Sequence, residues 1–397
     1  MDREHQSAPE TSVATTPLRQ PLRELGALFL RLGTTAFGGP AAHIAMMEDE
    51  VVRRKGWLSH AEFLDLLGLT NLIPGPNSTE MAIHIGRQRA GALGLLIAGS
   101  AFILPAALLT GTLGWAYARF GAQPRAVAML NGIKPVMIAV VVQALLALTP
   151  KALKNRSLLA VGIVTLVLAA AGINELVCLG FAGLAAWAAR KRLSPPPLLL
   201  GGSGAGAMPA ALAALSGAKV ALPFSLPALF LVFVKIGSVL FGSGYVLLAF
   251  LRSDLVEQRH WLTEAQLLDA IAVGQVTPGP VFTTATFIGY QLGGPWGALL
   301  ATLGIFLPAF VFVAISAAFL PKIRASTALG AVLDGVNVAS LALMAVVTLQ
   351  LCRAALVDWL SVVLACASAV LLLRFKWNST WLIAAGALIG IVSQGLR

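Results

Sequence analysis

The apolar positions of this chain fall into long uninterrupted blocks rather than amphipathic alternation. Blocks of spanning length occur at about 25–47, 92–118, 126–148, 157–172 and 174–189, and again at about 225–250, 297–320, 328–350, 355–373 and 378–394. A helix needs roughly 20 apolar residues to cross the hydrocarbon core, so each block predicts one transmembrane helix. The blocks 157–172 and 174–189 are the short ones, met by less tilt or by their flanks. The stretch 207–217 is apolar but shorter still, and predicts an interfacial helix.

Two segments, 57–86 and 261–289, do not fit this pattern. Each opens on Trp-Leu followed by Ser59 or Thr263, a natural N-cap. Each is then interrupted midway, by Pro74-Gly75-Pro76 and by Pro278-Gly279-Pro280. Two half-helices joined by such a break predict a re-entrant hairpin. Non-helical backbone at membrane depth is tolerated only where protein or a water-filled cavity surrounds it. One ordinary span kinked by proline is the alternative.

The two sets of blocks repeat each other. At an offset of 204, Gly33, Phe37, Gly38, Trp57, Leu58, Asp65 and Pro74-Gly75-Pro76 find mates in Gly237, Phe241, Gly242, Trp261, Leu262, Asp269 and Pro278-Gly279-Pro280. After one gap the offset becomes 203, and Gly86, Gln88, Gly94, Pro105 and Gly132 match Gly289, Gln291, Gly297, Pro308 and Gly335. Chance similarity aligns leucines; it does not align Trp, Asp and Pro-Gly-Pro together. The chain therefore divides into a polar segment 1–24, a first repeat 25–190, a Pro/Gly-rich linker 191–224 and a second repeat 225–397.

If each hairpin enters and leaves on one side, five spans remain per half, and an odd number inverts the second half. With the 48–60 loop inside, the loops 48–60, 87–91, 149–156, 190–224, 321–327 and 374–377 hold 16 of the 28 Lys and Arg residues, against nine outside. This follows the positive-inside rule. The expected fold is an all-α polytopic membrane protein, an inverted repeat of five spans plus a hairpin per half, with both termini outside.

Composition agrees. Hydrophobic residues make up 58% of the chain and charged residues 11%, against about 25% charged in soluble domains. So few charges cannot cover a water-exposed surface of this size. The net charge of +11 would suit a nucleic acid, but the basic residues lie in short clusters between apolar blocks, so no nucleic-acid partner is expected. The 3 cysteines read as apolar packing residues. The start of the chain lacks the charged and apolar regions of a cleaved signal peptide.

Charge inside a span is costly and marks function by default. Arg31 and Lys235 occupy matching positions, six residues before Phe37-Gly38-Gly39-Pro40 and Phe241-Gly242-Ser243-Gly244. A repeated intramembrane cation suits an anion path; pairing with a nearby carboxylate or snorkelling is the alternative. Lys134 lies nearer a span end. Behind each Pro-Gly-Pro a half-helix starts, with Asn77, Ser78 and Thr79 in one repeat and Thr283 and Thr284 in the other. Its free N–H groups and positive dipole end suit an oxyanion, while Ser and Thr also serve as plain caps. Gly38 and Gly39 permit close backbone approach, to a helix or a ligand. Asp65 and Asp269 are repeat mates fit for charge pairing or proton transfer. Glu80 and His84, four apart on one helix face, make a second candidate proton pair. The acidic run Glu48-Asp49-Glu50 reads as a solvated loop. Hydrolase, metalloprotease and phosphate-loop motifs are absent, and the 5 histidines form no metal-spaced cluster, so no enzyme activity, cofactor or metal is expected.

At Phe37-Gly38-Gly39-Pro40-Ala41-Ala42-His43, Pro74-Gly75-Pro76-Asn77-Ser78-Thr79-Glu80, Ala82-Ile83-His84-Ile85-Gly86 and the second-half copy from Thr277 to Tyr290, the sequence resembles the chromate ion transporter family in its long two-domain form. The resemblance covers about 22–394. It implies efflux of chromate from the bacterial cytoplasm through the inner membrane, chromate resistance, and halves of opposite orientation. It leaves open another oxyanion such as sulfate, a channel in place of a carrier, and the oligomeric state, homo-oligomers included. The second half departs at Ser243-Gly244 and lacks mates for His43, Glu80 and His84, which implies unequal roles. A dianion leaving an inside-negative cell gains roughly 4.6 kcal/mol per 100 mV. Potential alone therefore suffices as a drive, and proton exchange would add to it.

Overall fold

The computed structural model describes residues 19–36, 39–193, 223–241, 246–325 and 327–395, and all regular structure among them is helical. Gly38, most of the linker with its expected interfacial helix, and the segment 242–245 lie outside the described residues.

The first half contains α1 (Arg19–Thr35), α2 (Gly39–Glu48), which runs into a π-helical turn (Asp49–Arg54), α3 (His60–Thr70), α4 (Asn77–Phe120), α5 (Pro124–Ala152), α6 (Arg156–Ala170) and α7 (Glu175–Leu193). The second half contains α8 (Leu226–Val239), α9 (Leu247–Leu251), which runs into a π-helical turn (Arg252–Gln258), α10 (Glu264–Val276), α11 (Thr284–Ala325), α12 (Thr327–Ala355), α13 (Trp359–Arg374) and α14 (Ser379–Gly395).

The expected spans 25–47 and 225–250 are corrected: neither is one helix. α1 stops at Thr35 and the chain restarts at Gly39, whose φ of +79° is left-handed. α8 stops at Val239 for the equivalent reason of sequence, with Phe241-Gly242-Ser243-Gly244 following. Glycine costs about 1 kcal/mol against alanine within a helix, and each stretch carries two within three residues.

Downstream, α3 and α10 start on matching capping boxes. Ser59 Oγ accepts from the Glu62 N–H while Glu62 accepts from the Ser59 N–H, and Thr263 and Gln266 do the same. Both helices end ahead of Pro-Gly-Pro, after 11 and 13 residues. At about 1.5 Å per residue, neither can cross a bilayer alone.

α4 and α11 each fold back on themselves. At Gly91 (φ +61°) and Gly294 (φ +60°) the backbone leaves the helix and reverses. Gly86 then lies against the Gly94 backbone, and Gly289 against Gly297, so closely that a Cβ at any of the four would collide with a carbonyl. Among the described residues four segments are long and apolar enough to cross a membrane: Asn77–Phe120, Pro124–Ala152, Val281–Ser316 and Ala328–Ala355. Shorter apolar helices, Arg156–Ala170, Leu226–Val239, Trp359–Arg374 and Ser379–Gln394, accompany them.

The repeats interlock. Along the α4–α11 contact Arg87 donates to Val313 and Ala314, Gly99 faces Phe310, Gly111 faces Thr286 and Gly114 faces Tyr290. From Gly111–Thr286 to Gly114–Tyr290 the numbers rise together, so the second arm of α4 runs parallel to the first arm of α11. Because α11 reverses at Gly294, the same arm of α4 runs antiparallel to the second arm of α11, where Gly99 meets Phe310. The outer helices pair in matching fashion. Gly132 of α5 lies on Gly386 and Gly390 of α14, and Gly335 of α12 lies on Ala182 and Ala186 of α7. In lipid, burying apolar surface between helices contributes little, and small residues bind helices by close van der Waals contact instead.

Candidate functional site

Where a helix stops, its last carbonyls lack intrahelical partners. Here each broken first helix finds one in the Pro-Gly-Pro break of the other half. The Gly279 N–H donates to Ala36 O at 2.9 Å, and the Gly75 N–H donates to Leu240 O at 2.8 Å. Both glycines have positive φ, +141° at Gly75 and +86° at Gly279, which aims their amides where an L side chain would be strained. His43 Nε2 adds a second contact to Ala36 O at 3.1 Å, and its ring stands edge-on to Phe102.

Beyond the first crossing, α4 begins at Asn77. The N–H groups of Thr79 and Glu80 return to Pro76 O, at 2.8 and 3.0 Å; those of Asn77 and Ser78 have no acceptor within the helix. Asn77 Nδ2 donates to Asn71 Oδ1 at 2.8 Å and closes the break. Thr79 Oγ1, both Glu80 carboxylate oxygens and His84 Nε2 are buried without a hydrogen-bond partner. Glu80 has 0% exposure, and its Oε1 lies where a Cβ on Gly75 would stand. Glu80 and His84 share a face one turn apart, but no hydrogen bond joins them. In the second half Thr283 donates to Pro280 O at 2.9 Å and Thr284 to Val281 O at 2.7 Å. Both hydroxyls there are satisfied, and the position matching Glu80 is Thr284.

The repeated cations are carboxylate-paired. Arg31 meets Glu50 at 2.7 Å, and Lys235 meets Asp254 at 2.9 and 3.0 Å and Glu175 at 3.5 Å. Glu50 and Asp254 are themselves repeat mates, each within a π-helical turn. The reading of Glu48-Asp49-Glu50 as a solvated loop is thus corrected: Glu50 faces inward to Arg31. The pairs differ in exposure. The Arg31 side chain is 54% exposed, beside a cavity of about 410 Å³ that Arg54 also lines; Lys235 is 30% exposed and Asp254 0%.

The mates Asp65 and Asp269 have different surroundings. Asp65 is exposed on α3. Asp269 is buried, 3.0 Å from Lys134 Nζ, and accepts from Tyr117 Oη at 2.8 Å. Lys134 opens onto a cleft of about 560 Å³ with Asn131, Asp358 and Ser361. An apolar groove of about 820 Å³ between α4 and α11, walled by Leu104, Trp115 and Leu303, suits lipid. Among the described residues no group of three or more His, Cys, Asp and Glu could hold a metal.

Two interlocked repeats, with helices broken at matching positions and ion pairs at matching positions on α1 and α8, define a polytopic membrane transporter. The chain belongs to the chromate transporter family, whose sequence model matches residues 23–207 and 227–391. It is similar to the chromate transport protein of Cupriavidus metallidurans, at 35% identity over 98% of both chains. It is also similar to the chromate transport protein of Pseudomonas aeruginosa, at 34% over 86% of this chain and 83% of the relative, and to a probable chromate transport protein of Synechococcus elongatus, at 31% over 85% and 86%. No solved structure matches it. The protein is accordingly a multi-pass membrane transport protein and not an enzyme.

Proposed function

We propose that the protein exports chromate across the bacterial inner membrane, driven by the membrane potential, and so confers chromate resistance. The observation that carries this reading is the pair of crossed breaks. They present two half-helix N-termini at the crossing of the halves, each beside the broken end of the opposite repeat's cation-bearing helix. A tetrahedral dianion shedding water needs positive charge and donated hydrogen bonds in exchange. The N-termini behind Pro76 and Pro280 supply about half a charge each, with Asn77, Ser78, Thr79, Thr283 and Thr284 as the polar residues of the first turns and Gly38 and Gly39 allowing close approach. Arg31 and Lys235, five residues ahead of the crossing carbonyls of Ala36 and Leu240, meet the anion by exchanging their carboxylate partners for it. Asp65, Asp269, Glu80 and His84 are the groups available for proton coupling.

The antiparallel packing of the second arm of α4 against the second arm of α11, together with the Lys/Arg distribution, supports halves of opposite orientation in the membrane, 25–190 and 225–397, joined by the linker 191–224. α3 with the first arm of α4, and α10 with the first arm of α11, then form the re-entrant hairpins. The names of the relatives favour chromate; the donor set itself suits sulfate equally.

Uptake of labelled chromate and sulfate into everted vesicles tests this, with potential and pH gradient imposed separately. A lumen-positive potential should drive chromate uptake above that of vesicles lacking the protein. Uptake of sulfate alone, or none in excess of the control, would contradict it.

A further inference from the structure

One acidic side chain stands where the cargo is expected. Glu80 lies in the first turns of α4, is fully buried, and folds back over Gly75 toward the helix N-terminus. Neither carboxylate oxygen has a hydrogen-bond partner, and the neighbouring Thr79 Oγ1 is also buried and unpartnered. The end of α4 is thus receptive to an anion, and a carboxyl group of the chain itself occupies that place. The second half has no counterpart, because Thr284 turns its hydroxyl to Val281 O.

We propose that the Glu80 carboxylate is an internal occupant of the anion site, which cargo displaces only when Glu80 takes up one proton. The proposal rests on the oxyanion reading above. Two negative charges confined at one buried site repel strongly, so the charged carboxylate and a dianion exclude each other. A proton taken from water onto Glu80 removes one of them; the neutral carboxyl then has an O–H to donate to an oxyanion oxygen. By linkage, cargo and proton favour each other's binding by the same factor. The proton travels with the cargo rather than against it, and one net negative charge moves per cycle.

The surroundings leave Glu80 as the group that answers. On α4, His84 lies one turn on, and Arg87 is committed to the Val313 and Ala314 carbonyls. From α2 comes His43, bound to Ala36 O. From α1 comes Arg31, paired with Glu50, and from α8 comes Lys235, paired with Asp254. α3 contributes Glu62, held in its capping box, and the exposed Asp65. The part of α11 from 284 to 316, both arms included, contains no Asp, Glu, Lys, Arg or His; its one titratable group is Tyr290.

The test measures chromate binding by the purified full chain between about pH 7.5 and 9.5, where chromate stays a dianion. Wild-type affinity should fall by up to about tenfold per pH unit once Glu80 is charged in the empty protein, and binding in weak buffer should raise the solution pH. Glu80→Gln should bind with an affinity that no longer changes with pH, and without proton uptake. If the Gln variant does not survive extraction, proton uptake by the wild type decides. A flat wild-type profile without proton uptake, or an unchanged slope in Glu80→Gln, overturns the proposal. Absence of chromate binding by either protein at any pH overturns the oxyanion reading itself and this proposal with it.

Discussion

Gly75 and Leu240, 165 positions apart in the numbering, are joined by a hydrogen bond from the Gly75 amide to the Leu240 carbonyl at 2.8 Å, and their repeat mates Gly279 and Ala36 are joined the same way at 2.9 Å. This reciprocity ties the break in one half to the break in the other. Each crossing satisfies a carbonyl that a stopped helix leaves bare, and each places a half-helix N-terminus beside the broken end of the opposite repeat.

The crossing glycines should therefore be intolerant of any side chain. A Cβ on Gly75 meets Glu80 Oε1, and one on Gly279 meets Ala106 and the Gly33 carbonyl, both at positive φ. Gly172 also has positive φ, +80°, but open space around it. Gly172→Ala should cost only backbone strain, about 1 kcal/mol. Gly75→Ala and Gly279→Ala should cost clearly more and lower transport with it. Thermal unfolding in detergent ranks the three; equal losses would contradict the crossing.

The ion pairs should respond unequally. Arg31 is half exposed, and Glu50 keeps Arg54 at 3.4 Å when Arg31 is removed. Arg31→Ala should stay in the membrane at near wild-type level, losing about 1 kcal/mol or less, yet transport poorly. Arg31→Lys should fall between, because lysine lacks the planar fork. Lys235→Ala leaves Asp254, which is 0% exposed, with Arg259 at 3.3 Å, and leaves Glu175 with the Ser253 hydroxyl. With the carboxylates buried, this variant should lose more than Arg31→Ala, up to about 3 kcal/mol. Its membrane level should drop and recover in Lys235→Ala with Asp254→Asn. Quantitative blotting and vesicle uptake separate the two effects. Normal transport by both single alanine variants at matched expression would remove the cations from the path.

Much of this was legible in the sequence. The duplication, the helical membrane class and both Pro-Gly-Pro breaks follow from apolar blocks and from repeated Trp, Asp and Pro-Gly-Pro positions. The break in the first helix was not, although Gly38-Gly39-Pro40 signalled it, because the apolar run continues through to Met47 and outweighs the glycines in any hydropathy window. The partners of Arg31 and Lys235 were hidden by distance along the chain: Glu50 sits in an acidic run that resembles a surface loop until the π-helical turn directs it inward. The matching position of Asp254 under the same offset of 204 was the available signal. Lys134, Asp269 and Tyr117 come from three separate helices, and only packing brings them together.

Lys134 should accordingly matter more than its place near a span end suggests. It is the cation nearest the buried Asp269, and Lys134→Ala leaves that carboxylate with Tyr117 alone. A loss of roughly 3 kcal/mol is expected, restored in large part by adding Asp269→Asn. Thermal unfolding of the single and double variants checks this; an undiminished single variant would mean that water, not Lys134, solvates Asp269.

The proposed opposite orientation of the halves, with the Lys/Arg-rich loops inside, predicts the sidedness of fusions. Reporter fusions after Lys191 and after Arg324 should be cytoplasmic, and one at Arg397 periplasmic. A cytoplasmic reading at Arg397 would contradict inversion of the second half.

The most direct test of the crossed breaks as cargo site uses Asn77 and Val281, repeat mates at the first positions behind Pro76 and Pro280, both half-buried where Ser78 and Thr283 are closed off. In a background lacking Cys178, Cys352 and Cys366, the variants Asn77→Cys and Val281→Cys are treated with a membrane-impermeant thiol reagent, with and without chromate. A cysteine at Leu303, on the apolar groove, serves as control. Both mates should react, and chromate should slow both while leaving the control unchanged. Reaction that chromate leaves untouched at both positions would place the cargo elsewhere and contradict the account.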